Sequence, residues 1–296
     1  MENRLQPQLS NSDELKTVLK KVDVNYQLQD KRSVETLLIY LPHDGKPDPL
    51  TQFFAAIRNG IMINFVFRCS EIEKQLGRSK EGAAERLFEK AIRKLSRHTA
   101  KGELGELILF TLLDVYLEAP KLISKISANS AQKMPVFGAD GVHGQFYDGK
   151  FKLFLGESKL YKDFKAGASA AAKSIKSAAD KYQAEFDLIE SYLDFPNLEP
   201  ELEEHLLDIL NPLVNADIEN VLNNTCFIGF AKPDLLQCIP EGFEQKYIDI
   251  AGEYIEDFYS KLEKQGLDAK KTVLMILPFN CVDDLVNQFV DYMDIK

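Results

Sequence analysis

One short segment limits the folds open to this chain more than any other. It is Tyr147-Asp148-Gly149-Lys150, set between the β-rich runs Val136–Phe146 and Phe151–Leu160. An Asp-Gly pair suits the left-handed backbone of a two-residue turn, so the two runs are expected to return on each other as an antiparallel hairpin. Side chains alternate across a strand, which places Phe151, Leu153, Leu155, Glu157 and Lys159 on one face of the second run. Glu157 and Lys159 then project side by side from the end of an otherwise apolar strand. Asp140, on the first run, lies across the hairpin from them.

Elements on either side make this hairpin part of a larger sheet. Before it, Ala84, Leu87, Phe88, Ala91, Ile92 and Leu95 recur at helical spacing within Lys80–Leu95. Leu104, Leu107, Ile108, Leu112, Leu113 and Tyr116 mark a second amphipathic helix over Gly102–Leu117. After it, Tyr161–Asp194 reads as a long helix stopped by Pro196. Its Ala-, Ser- and Gly-crowded part, Ala166–Ala179, suits close packing on a sheet. Leu202–Leu210 reads as an acidic helix, Cys226–Phe230 and Thr272–Pro278 as buried strands, and Phe243–Leu262 and Asp283–Met293 as helices. Nearer the start, Val34–Leu41 has the residues of a strand, His43–Pro49 those of a loop, and Gln52–Gly60 those of a short helix. Ile61–Phe67 fits a buried strand or a helix end, and residues 1–30 read as a loosely held polar lead-in. The order predicts an α/β fold with a mixed central sheet flanked by helices. It also suggests a division into an N-terminal α+β region, 1–98, for docking or regulation, and a main domain, 99–296.

Composition narrows the classes. No apolar run approaches the roughly 20 residues that span a bilayer, and Met1-Glu2-Asn3-Arg4 shows no signal-peptide pattern. The expectation is a cytoplasmic protein with no membrane contact. Cys69, Cys226, Cys238 and Cys281 are widely spaced and contain no Cys-x-x-Cys pair, so they read as reduced, mostly buried thiols. A formal net charge of −10 argues against tight, unaided binding to nucleic acid. That charge is uneven. Lys150–Lys181 carries eight lysines against three acids, and Lys80–Lys101 seven basic residues against three acids. Tyr182–Ala231 carries eleven acids and no Lys or Arg, as expected of a surface that docks a partner or repels DNA.

Two acids converging from neighbouring strands, with a lysine beside them, suit phosphodiester hydrolysis. That reaction needs an oriented water, neutralised phosphate charge and a proton for the leaving oxygen, and Mg²⁺ is commonly held by one or two carboxylates plus waters. Glu-x-Lys occurs three times, at Glu14–Lys16, Glu157–Lys159 and Glu244–Lys246. Only the middle copy ends an apolar strand with an aspartate across a hairpin. The other two lie in polar or helical stretches, where residues two apart do not face each other.

With Gly105-Glu106 on a helix, Ala139-Asp140-Gly141 on one strand and Gly156-Glu157-Ser158-Lys159 on the next, residues 99–231 resemble the PD-(D/E)XK nuclease superfamily, with its restriction-endonuclease-like core. The segments GELGELILFTLL, GADGVHGQF and LGESKLY, the last followed by the small-residue helix, resemble more narrowly the nuclease subunit family of the Hachiman anti-phage defence system, HamA. The resemblance implies Mg²⁺ or Mn²⁺ bound by Asp140, Glu157 and the backbone carbonyl of Ser158, with Lys159 orienting water and stabilising phosphate charge. It also implies a helix carboxylate that completes the metal site. Glu106 is preferred because it directly precedes the docking apolar run, and Glu103 is the alternative. His143 and Gln145 are candidate accessory residues, and Lys173 and Lys176 candidate nucleic-acid contacts. His43, His98 and His205 read as structural or surface residues. The implied partner is a superfamily 2 helicase and the implied substrate DNA. A catalytically silent binding module on the same fold and a ribonuclease are the competing readings.

Overall fold

In a computed structural model, the chain is described over residues 4–42, 48–77, 82–124, 138–182, 200–238 and 240–296. Most of the expected His43–Pro49 loop, with His43 itself, lies outside the described residues. So do the first residues of the expected helix from Lys80, the start of the run from Val136, and the long helix beyond Tyr182.

Among the described residues eight strands form one mixed sheet: β1 (Lys20–Val22), β2 (Tyr26–Gln27), β3 (Ser33–Tyr40), β4 (Lys121–Ser124), β5 (Gly141–Tyr147), β6 (Lys150–Tyr161), β7 (Leu222–Ala231) and β8 (Thr272–Phe279). Its order is β1-β3-β8-β7-β6-β5-β4, with β2 paired to β3. The centre is parallel, β3 to β8, β8 to β7 and β7 to β6, while β5 and β4 continue antiparallel beyond β6. All eight residues of β8 are buried, as expected of a parallel strand covered on both faces. The N-terminal strands therefore share one sheet with the hairpin.

Two helical layers cover the sheet. On one face lie α1 (Ser12–Val18), α2 (Pro49–Ala56), α3 (Met62–Val66), α4 (Cys69–Leu76), α5 (Ala83–Ile92), α6 (Ala100–Tyr116) and, near the C-terminus, Val282–Met293. They pack with Phe154, Leu160, Phe227, Met275 and Leu277. On the other face α7 (Phe164–Lys181) and the helix Pro240–Lys264 pack on Cys226, Ile228, Leu274 and Ile276. The acidic helix, α8 (Pro200–Leu210), buries Leu206 and Leu210 against the hairpin end of that face. The helices Pro240–Lys264 and Val282–Met293 are called α9 and α10 below. Small side chains bring α7 close to the sheet, with Ala168, Ala171, Ala172 and Ala178 all buried. Among the described residues no single helix is long and apolar enough to cross a membrane.

The hairpin forms as its sequence predicts. Asp148 and Gly149 take φ of 50° and 75°, and the strands pair in register from Tyr147↔Lys150 to Gly141↔Gly156. Two other expectations need correcting, and one open alternative is decided. The lead-in is not loosely held: Leu5, Leu9, Leu15, Val18, Leu19 and Val22 are all buried. Ile61–Phe67 is a helix end, α3, and its buried apolar run fills a helical layer rather than a strand. The four thiols are free, but only Cys226 is buried; the other three are half-buried.

Candidate active site

The open end of the hairpin gathers the central residues. Asp140 precedes β5 by one residue instead of lying within it, and its N–H donates to the Gly156 carbonyl at 2.7 Å. Continued register sets Asp140 opposite Glu157. The Asp140 carboxylate is fixed by Ser158, whose N–H and Oγ both donate to Oδ2 at 2.9 Å. In a strand, the N–H and C=O of one residue leave along the same edge. The Ser158 carbonyl therefore faces the Asp140 side.

Glu157 and Lys159 point to the opposite helical layer, toward α7, and form an ion pair. The Glu157 side chain is 4% exposed and that of Lys159 19%, so the pair is buried with the ammonium nearer its mouth. Burial, then the Asp140 charge, push the Glu157 carboxyl up to about 7 against the pull of Lys159 and a hydrogen bond with Ser174 of α7. Burial works to lower the Lys159 ammonium, but Glu157 and Asp140 outweigh it and hold it above its ordinary value. Cys226 stands beside Glu157 on β7, and burial keeps its thiol neutral, well above the usual range. Sequence reading missed Ser174, since nothing in the Ala/Ser-rich run singles it out.

α6 approaches from the other face. A Cβ at Gly105 would lie 3.2 Å from Ser158 Oγ, so glycine there lets the helix sit directly on this stretch of β6. Glu106 follows and is buried. Glu103 is half-buried and engaged at the helix start, accepting from Thr99 Oγ1 at 2.6 Å and the Ser96 N–H at 3.3 Å. Burial raises its carboxyl, and those two bonds oppose the rise.

His143 and Gln145 are occupied in packing. The His143 Nδ1–H donates to the Ala119 carbonyl at 2.9 Å, its ring meets Phe110, and burial pushes it down to about 3. Near it, the buried Lys121 ammonium donates to the carbonyls of Asn64, Phe65 and Phe67 at the end of α3. Asp114 of α6 accepts the N–H groups of Gln8 at 2.8 Å and Leu9 at 3.0 Å, and burial pushes its carboxyl up to about 6. Gln145 Nε2 donates to the carbonyls of Leu5 and Glu118, pinning the N-terminal segment to β5. On α7, Lys173 is exposed and Lys176 pairs with Asp180 one turn on. His98 and His205 are exposed.

Beside Lys159 opens a groove of about 660 Å³ lined by Lys101, Gly102, Gly105, Ser158, Lys162 and Ala166, among others. Among the described residues no three His, Cys, Asp or Glu side chains form a group that could hold a metal ion, so Glu106 makes no three-carboxylate cluster with Asp140 and Glu157. The donors brought together are two carboxylates and a strand carbonyl. That set fits a hard divalent cation whose shell is completed by water. The repulsion that raises Glu157 is of the kind such a cation relieves.

A mixed α/β protein with a buried carboxylate pair and a lysine at a hairpin end is thus defined by fold and geometry. The chain belongs to the HamA family, whose model matches residues 15–293. It is accordingly a component of Hachiman anti-phage defence, a system of more than one subunit. No curated protein and no solved structure matches it.

Proposed function

We propose that the chain is a metal-dependent nuclease of the PD-(D/E)XK type, the DNA-cleaving subunit of a Hachiman complex that works with a superfamily 2 helicase. The observation that carries this reading is the placement of Asp140, Glu157 and Lys159 at one hairpin end, buried and next to a lysine-lined groove. Asp140, Glu157 and the Ser158 carbonyl would hold Mg²⁺ or Mn²⁺. When bound, the cation supplies charge neutralisation at the phosphate and acidifies water. Ser158 keeps the Asp140 carboxylate in one orientation through its two hydrogen bonds. Lys159 orients the attacking water and offsets charge building on the phosphate oxygens. Glu106, buried on α6, is the supporting helix carboxylate. The exposed acids of α8, Glu201, Glu203, Glu204 and Asp208, suit partner docking or repulsion of DNA until a partner delivers it.

The test is Mg²⁺-dependent cleavage of plasmid and linear DNA, with RNA of matching sequence alongside. It is run on the chain with and without the helicase, beside Glu157→Ala/Lys159→Ala. The expected result is cleavage lost in the variant and in EDTA. Cleavage of RNA alone would reassign the substrate. No cleavage by the chain or complex, with partner binding intact, would establish a binding module instead.

A further inference from the structure

The groove beside Lys159 contains a charge arrangement that the nuclease reading leaves unused. Lys101 stands in the first turn of α6, and Lys162 between β6 and α7, so their ammonium groups come from different elements. Gly102, Gly105 and Ala166 line the space near them, leaving room for a bulky chain to come close to the backbone. Asp283, in the first turn of α10, bridges the two lysines. Its Oδ2 lies 2.8 Å from Lys162 Nζ and its Oδ1 3.8 Å from Lys101 Nζ. One anionic group thus presents a separate oxygen to each lysine, as the two non-bridging oxygens of a phosphodiester would.

We propose that Lys101 and Lys162 form a phosphate seat for the nucleic-acid strand next to the scissile position, and that the Asp283 carboxylate fills this seat until the strand displaces it. The inference rests on the nuclease reading, because Lys159 at the edge of the same groove is what makes its occupant a substrate strand. α10 holds the resident carboxylate in place through buried Val282 and Leu285 on either side of its first turn. The bridge is nevertheless exchangeable. The side chains of Lys101, Lys162 and Asp283 are 46%, 71% and 50% exposed, so solvent screens the attraction. A strand carries further phosphates to the same groove and releases its own counterions on binding. Asp283 therefore raises the threshold for binding without closing the site.

Fluorescence anisotropy of a fluorescein-labelled single-stranded DNA, titrated with the full chain in EDTA over a range of salt, separates the parts. Asp283→Asn is expected to tighten binding several-fold at low salt. Lys101→Gln/Lys162→Gln is expected to weaken it about tenfold or more. Loss of two phosphate contacts should also flatten the plot of log affinity against log salt by about 1.4. In the triple variant, Asp283→Asn should add nothing, because its only route is through the two lysines. Thermal melting checks that each variant is folded. An unchanged salt slope in the lysine variant, or an Asp283→Asn effect that persists without the lysines, would overturn the seat. Absent salt-dependent binding by the unsubstituted chain would do so too. Cleavage is scored separately. A cutting enzyme with an unchanged slope loses only the seat, whereas a non-cutting chain that shows the full cycle keeps the seat and loses the nuclease reading.

Discussion

Two buried charge clusters flank the hairpin and differ in how their charges are satisfied. Around Lys121, saturation is nearly complete. Its ammonium meets three carbonyls, Asp114 takes two backbone N–H groups, and His143 gives its Nδ1 proton to Ala119. Most of these bonds tie distant backbone segments together, so the cluster fixes structure. Around Glu157 the arrangement is opposed. Burial, then the charge of the neighbouring Asp140, opposes ionisation of Glu157, and one lysine balances the two carboxylates. A fold gains little from such a pair, and a cation or a reaction gains much. The contrast separates buried charge that builds a protein from buried charge that works in it.

The strongest way to break that contrast is at Glu157. Glu157→Gln removes a charge that burial and Asp140 disfavour, so the urea midpoint should stay level or rise. DNA cleavage should fall about a thousandfold, the scale of losing one preorganised electrostatic group. A large loss of stability in this variant would make Glu157 structural and end the contrast. Lys121→Met should do the reverse. With three carbonyls left without their donor, it should cost about 3 kcal/mol or more in urea unfolding, while cleavage per folded molecule stays unchanged.

Asp114 sharpens the same point through pH. Its carboxyl holds its proton up to about 6 in the fold against an ordinary 3.8, so the fold binds that proton more tightly than the unfolded chain does. This contribution to stability is fully present below about pH 4 and is lost as pH rises through 6. The loss is on the order of 3 kcal/mol by linkage. Urea midpoints of the protein measured against Asp114→Asn should converge or cross over that window, and parallel curves would remove Asp114 from the account. The smallest effect separates the two helix acids. Glu103→Gln should cost about 1 kcal/mol, as loss of a helix-start contact does, with cleavage intact. Glu106→Gln should lower cleavage about tenfold.

Much of this was legible in the residues, and the boundary follows distance along the chain. The hairpin, the apolar strands β7 and β8, and helices α5, α6 and α7 depend on local period and turn chemistry. So does the juxtaposition of Asp140 with Glu157, which needs only one turn between them. β1, β2 and β4 have three, two and four residues, too few for a period to show, and only their pairing with the neighbouring β3 and β5 defines them. The N-terminal segment read as loose because its apolar residues follow no single period. Its order comes from Asp114 and Gln145, over a hundred positions away. His143 was weighed by its nearness to Asp140, but its partner Ala119 lies on a segment that no local rule would bring there. The Lys176–Asp180 pair, four residues apart on one helix, is local, whereas neither basic run gave warning that Asp283 of a distant helix bridges Lys101 and Lys162.

The parallel centre of the sheet also sets an order of events during synthesis. β3 is made early, yet its inner neighbour β8 follows more than two hundred residues later, with Glu35 pairing to Val273. At 5–20 residues per second a ribosome needs on the order of ten to fifty seconds to cover that interval. Throughout that time β3 has an unpaired edge, and the hairpin with β7 waits as a separate piece. Contacts this remote make folding slow and expose the half-made sheet to wrong partners. β8 joins the two pieces, so the strand that unites the early and late halves of the chain is the last one made.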